Sequence, residues 1–298
     1  MKTSLYLLLA LVSFMEACGQ DISTRQQTEA DSLNMNKTGK VYKDTFLINP
    51  DGMTIRTRFF PPPGYKRSEN DNNSFAEYLV QLPLKPHNSV VQLYDGNIKY
   101  DNGVYDAVVD LAIGKKDLHQ CADAIMRLRA EYFWNIKQYD KIHFTLTSGF
   151  RADYSEWMQG KRVVFNGNST KWIQTENALS NDYEDFWHYL EFIFSYAGTY
   201  SLSKELIKVG IDSLKVGDIF IEGGFPGHAV IVVDVATNEK NGKKVFLLAQ
   251  SFMPAQEIQI LKNPNDSIIS PWYSSDFEEY LYTPEWTFTK ADLKRFND

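Results

Sequence analysis

Three side chains in this 298-residue chain have types suited to covalent chemistry on a carbonyl: Cys121, His228 and Gln250. A cysteine attacks as its thiolate, so it needs a base to take the proton. Histidine is the side chain whose ordinary pKa suits that task near neutral pH. A polar third residue can hold the imidazole in one orientation and one tautomer. Such a set breaks amides by acyl transfer through a thioester. Each residue also has a plain structural reading. A free cysteine packs as a small hydrophobe, and a strand glutamine satisfies backbone groups. The other histidines are weaker candidates: His87 follows Pro86 in a loop, His119 precedes Cys121 by two positions, and His143 and His188 sit among strand and aromatic-helix residues. No HExxH or paired CxxC occurs, so neither a metal nor a cofactor is expected.

These residues need elements to position them. Tyr105 to Ile113 alternates apolar and polar and predicts a strand ended by Gly114. Asp117 is placed to cap a helix whose apolar positions are Leu118, Cys121, Ile125, Leu128 and Tyr132, an amphipathic spacing. Cys121 thus falls near a helix N-terminus, where the backbone favours negative charge and would lower a thiol pKa. In that helix, Asp123 is expected to pair with Arg127 at i+4. Ser74 to Leu82 predicts a short helix capped by Ser74, and Ile142, Phe144 and Leu146 a strand. Tyr183 to Ala197 predicts an aromatic-rich helix. Strands follow at Asp218–Ile221, Ala229–Val235, Val245–Gln250 and Glu257–Leu261, with Asn241-Gly242 as a hairpin turn. In that hairpin His228 opens one strand and Gln250 ends the next, so the two can face each other. Helices early and antiparallel strands late predict an α+β fold. The tryptophans Trp157, Trp172, Trp187, Trp272 and Trp286 could stack on sugars, though aromatics more often fill cores.

The flanks set location. Net charge is -7 and no Lys/Arg stripe forms, so nucleic acid is not an expected partner. Lys2 and the apolar run Leu5–Phe14 read as a signal peptide over 1–17, too short to span a bilayer. Met15-Glu16-Ala17-Cys18-Gly19 resembles the lipobox of bacterial lipoproteins, which implies lipidation of Cys18. Otherwise the leader is an ordinary secretory signal with Cys18 incidental. Residues 18–40 read as a flexible polar tether, and 41–298 as a single elaborated α+β domain. The expected location is the cell envelope, periplasm-facing or at the surface, with membrane contact only through the lipid anchor.

Gly217-Asp218, Gly227-His228 and Gln250, in that order, resemble the histidine half of papain-like bacterial cysteine amidases of the CHAP and NlpC types. That resemblance implies a papain-like core over about 115–262, an antiparallel sheet with packed helices, elaborated by an N-terminal α/β portion. It implies Cys121 as nucleophile, His228 as base and Gln250 as orienter. The implied activity is that of a cell-envelope cysteine amidase or peptidase, with peptidoglycan peptides as substrate class. Cys121 lies 107 positions before His228, about twice the spacing of many NlpC-type domains. The nearer helix at Tyr183 has the aromatic pattern but no cysteine. If that helix is the equivalent, the nucleophile is missing, and the protein is a catalytically inactive envelope binding or scaffolding lipoprotein. If the Cys121 helix is the equivalent, residues 144–179 are mostly an insertion. The stretches PPGYKR, SFAEYL, LPLKPH, QCADAIMRLRAEY, AGTYSL, GGFPGHAVIVVDVA, LLAQSFMPAQ and TPEWTF also resemble an uncharacterised domain-of-unknown-function family of Bacteroidetes-type exported proteins.

Overall fold

Residues 47–100, 103–167, 169–176 and 178–297 are described by the structure, a computed structural model. The leader, Cys18, the tether and the residues from Val41 to Phe46 lie outside them. The chain divides after Asp44, and the described residues all belong to the second unit, Thr45–Asp298. Among the described residues no helix is long and apolar enough to cross a membrane.

A nine-stranded antiparallel sheet carries the fold, which is α+β. Its strands are β1 (Tyr65–Arg67), β2 (Tyr105–Val108), β3 (Ile207–Lys208), β4 (Ile219–Glu222), β5 (His228–Asn238), β6 (Lys244–Gln250), β7 (Gln259–Leu261), β8 (Tyr273–Ser274) and β9 (Leu293–Arg295). The order is β2-β7-β6-β5-β4-β9-β3, with β1 also pairing β5 and β8 pairing β6. β5 is the spine. Its run Ala229-Val230-Ile231-Val232-Val233 is buried at every position, as a strand covered on both faces requires. Gly242, at φ 71°, closes the β5–β6 turn as the Asn241-Gly242 pair predicts. One charge interrupts the apolar run. Asp234 is fully buried and accepts from Arg67 Nε of β1 at 2.7 Å. Burial still pushes its carboxyl up to about 6, against the pull of that guanidinium.

Four helices matter here: α1 (Phe75–Val80), α2 (Cys121–Asn135), α3 (Tyr183–Tyr196) and α4 (Thr199–Glu205). Ser74 caps α1, its hydroxyl accepting from Glu77 N–H. α2 packs on β5, while α3 packs on α2. Two hairpins, His143–Thr145 with Arg151–Asp153 and Lys161–Asn166 with Ser169–Gln174, occupy the stretch between α2 and α3.

The expected one-sided helix at Cys121 is instead buried nearly all round, from Cys121 to Glu131. Its charged residues are enclosed too, and partners within the protein replace water. Arg127 Nε donates to Glu131 at 3.2 Å, its Nη1 donates to Ala112 O at 2.7 Å, and its guanidinium lies over Trp187. The expected Asp123–Arg127 pair does not form. Asp123 folds back instead, one oxygen accepting from Gln120 N–H at 3.0 Å. Nor does Asp117 cap the helix. It accepts from Ala255 N–H at 2.7 Å and from Gln120 Nε2 at 3.2 Å, tying the entry loop to the segment after β6. The strand expected over 105–113 is shorter, ending at Val108.

Candidate functional site

Cys121 is the first residue of α2, with Gln120 as N-cap. The N–H groups of a helix's first turn have no intrahelical partner, and those of Cys121 and Ala122 face the sulfur together with Ala229 N–H from β5. The thiol therefore lies against the residue that follows His228. The sequence left open which helix carries the site; α2, not α3, is the helix that sits on the histidine strand.

Burial pushes the thiol up to about 11, with Asp123 adding to the rise; the three N–H groups oppose it and lose. This reverses the expectation of a lowered thiol pKa at a helix start, because desolvation of a buried thiolate outweighs the helix end. CysSγ–imidazole hydrogen bonding is absent between Cys121 and His228 in this conformation.

His228 opens β5 and is 2 % exposed. Its ring sits among Phe252, Trp286 and Phe288, with centroids at 4.9, 5.4 and 6.0 Å. That desolvation, helped by Lys99, lowers its pKa to about 4, so the imidazole is neutral at pH 7. His228 Nε2 lies 2.8 Å from Gln250 Oε1. The glycine before it is a steric requirement: a Cβ on Gly227 would stand 2.7 Å from Glu222 O and 2.8 Å from Gly224 N.

A cleft of about 230 Å³ opens beside the thiol, lined by Gln120, Cys121, Asp123, Gly198, Phe225 and Met253. Phe225 is 85 % exposed and Met253 57 % exposed, on loops that follow β4 and β6 respectively. Asp123 holds a carboxylate oxygen with no hydrogen-bond partner, and burial pushes this carboxyl well above its ordinary value.

The Gly-Asp pair that precedes β4 has a structural task. Gly217 takes φ +92°, a region that favours glycine. Asp218 is fully buried and receives Arg295 Nε at 2.6 Å and Nη2 at 2.8 Å. It anchors β9 to the start of β4.

Two residues escaped the sequence reading. Glu285 Oε2 accepts from Gln250 Nε2 at 2.5 Å, and Lys99 Nζ stands 2.7 Å from the same oxygen. Glu285 and Trp286 both belong to the TPEWTF stretch, in which the sequence singles out only Trp286, as an aromatic that could stack on a sugar. Trp286 Nε1 donates to Glu222 at 3.0 Å, across from His228 in the β4–β5 register. Trp157 and Trp272 are core residues. His119 lies just before α2 and is buried, its Nδ1 3.3 Å from Gln256 O. Among the described residues no cluster of three or more His, Cys, Asp or Glu side chains could hold a metal.

A family model described as Domain of unknown function (4846) matches residues 55–295. The chain belongs to that family. Cys121, His228, Gln250 and Glu285 all fall inside the matched span. No curated protein and no solved structure matches the chain.

Proposed function

We propose that this protein is a cysteine amidase or peptidase with a papain-like core, acting on peptide amides at the cell envelope. The observation that carries the reading is one convergence. The Cys121 sulfur, at a helix start, meets Ala229 N–H, and the adjacent His228 is held by Gln250 at 2.8 Å. In this reading the Cys121 sulfur attacks the amide carbonyl and forms a C–S bond. His228 takes the thiol proton and passes it to the leaving nitrogen as the C–N bond breaks. The resulting thioester is then hydrolysed by water that His228 deprotonates, which releases the acid and restores the thiol. The backbone N–H of Cys121 stabilises the oxyanion. The neutral ground state of both groups fits proton transfer during attack, since thiolate and imidazolium formed together supply each other's countercharge. The substrate enters along the cleft between Phe225 and Met253, and peptidoglycan stem peptides are the proposed class. The leader and Cys18 would supply export and the lipid anchor; no cofactor takes part.

The test is hydrolysis of purified peptidoglycan fragments, with products identified by mass spectrometry. Wild type releases new carboxyl termini and Cys121→Ala does not. Equal release by both proteins contradicts the reading.

A second reading rests on the thiol raised to about 11 and the missing thiol–imidazole hydrogen bond. It makes the protein a non-catalytic envelope binding or scaffolding lipoprotein that keeps the fold. The same assay decides, because this reading expects no release from any fragment.

A further inference from the structure

The Gln250 amide bridges two groups. One end meets His228 Nε2 at 2.8 Å, and the other meets Glu285 Oε2 at 2.5 Å. A carboxylate can only accept hydrogen bonds. The end facing Glu285 is therefore the NH₂ group, and the end facing His228 is the carbonyl oxygen. A carbonyl oxygen also only accepts, so His228 Nε2 must carry the hydrogen. The lone pair is then on Nδ1, at the other side of the ring from Gln250. An amide's two ends differ little in size, so nothing in the shape of Gln250 alone chooses between its orientations; the hydrogen-bond network does.

The choice is made by a side chain that does not touch the imidazole. Lys99 Nζ stands 2.7 Å from the same Glu285 oxygen, in a pair whose side chains are 8 % and 19 % exposed. An ammonium donor on that oxygen keeps Glu285 an acceptor. Lys99 is itself fixed near the site, with Gln259 Oε1 at 3.4 Å and the Phe252 ring beneath its ammonium at 5.7 Å. The backbone around Glu285 is pinned as well, since Thr283 Oγ1 donates to Trp286 O at 2.7 Å.

We infer that Glu285, held by Lys99, is the positioning residue that sets the tautomer of His228 through Gln250. The inference bears on catalysis only if His228 is the base for Cys121, as proposed above. The tautomer itself does not depend on that reading. If Glu285 is replaced by a group that can also donate and Lys99 no longer holds an acceptor there, the Gln250 amide can turn over. Its NH₂ then donates to Nε2, the ring hydrogen moves to Nδ1, and the lone pair available to a thiol is lost.

The test is the ¹⁵N spectrum of the full chain at neutral pH, with the His228 signals assigned by their loss in His228→Gln. Wild type should show His228 as one tautomer, Nε2 at the protonated position and Nδ1 at the unprotonated one. Glu285→Gln combined with Lys99→Met, which keeps the size of residue 285 and removes both its charge and the ammonium that would hold the new amide's oxygen toward Gln250, should show a mixture of both tautomers. Glu285→Asp, which keeps the acceptor, should restore the Nε2–H form in part. Wild type in the Nδ1–H form, or a Glu285→Gln/Lys99→Met spectrum identical to wild type, overturns the inference. Should the double variant fail to fold, the wild-type spectrum still decides the first point, and Glu285→Leu, which leaves the Gln250 NH₂ no acceptor, should show the same mixture, an unchanged spectrum again overturning the inference. Iodoacetamide labelling of Cys121 in the same samples separates this from the catalytic reading. Labelling that ignores His228→Gln defeats the dyad but leaves the tautomer result standing. Labelling that needs His228 yet is unchanged in Glu285→Gln/Lys99→Met, with an unchanged spectrum, defeats only the inference.

Discussion

His228 and Gln250 meet at 2.8 Å although they are not opposite each other in the sheet. Ala249 pairs with Ile231, which sets Gln250 level with Val230 and two positions from His228. The contact is a diagonal one on a single face, within reach of long side chains only. Gln250→Asn, one methylene shorter, should therefore lose the contact as completely as Gln250→Ala. Both should reduce peptide turnover, by part of the about 10²–10⁴-fold that a positioned acid–base group contributes. Turnover of the Asn variant near the wild-type rate would show that the contact has no part in the reaction.

The buried thiol makes a second expectation. With Cys121 raised to about 11, the rate of alkylation by free iodoacetamide should climb steadily through pH 9 and level off only near 11. A plateau below pH 8 would mean that the helix end and the Ala229 N–H prevail over burial.

The two buried imidazoles subtract stability in acid. His119 is lowered to about 3 and His228 to about 4. Both remain neutral in the fold while the unfolded chain takes protons below its ordinary 6.5, so stability drops as pH falls from 6.5 toward 4. Asp234 works against this. Its folded value of about 6 exceeds the ordinary 3.8, so between those values the fold holds the extra proton and gains stability as pH falls. Asp123, raised well above 3.8 by burial, opposes the imidazoles in the same way, so urea unfolding from pH 7 to 4 is compared between variants. Replacing His119 with Phe should make the acid limb shallower, and an unchanged limb would refute the assignment.

Asp218 and Arg295 form a fork whose acid is fully buried. Removing one partner of a buried pair costs about 3–5 kcal/mol. Arg295→Met should destabilise by about that much, since it strands the fully buried carboxylate, and Asp218→Ala by less, since the guanidinium left behind reaches partial exposure. Adding Arg295→Met to Asp218→Ala should cost little more than Asp218→Ala alone, since the two share one interaction. Urea midpoints of the three variants check this, and full additivity would contradict it.

Much of the sheet was legible because its signals are local. Alternation, the Asn241-Gly242 turn and the apolar run of β5 each mark an element within a few residues. The His228–Gln250 contact was legible for the same reason, since a hairpin joins the two strands. Three things were not. Burial of the thiol depends on β5 and the Phe225 and Met253 loops, distant in sequence, so the local favour of a helix start gave the wrong direction. Asp123 has two nearby partners to choose from, and the backbone N–H of Gln120 won over Arg127. Glu285 reaches Gln250 across 35 positions and Lys99 reaches Glu285 across 186, and no periodicity encodes such contacts.

The central claim is that His228 activates Cys121 toward a bound carbonyl. The most direct measurement is covalent capture of Cys121 by a peptide chloromethyl ketone built on a stem-peptide sequence, followed by intact mass at neutral pH. Wild type should form a single adduct at Cys121, and His228→Ala should form it about 100-fold more slowly, as loss of a general base implies. Equal rates in the two proteins, or no adduct at Cys121 in wild type, would contradict the account.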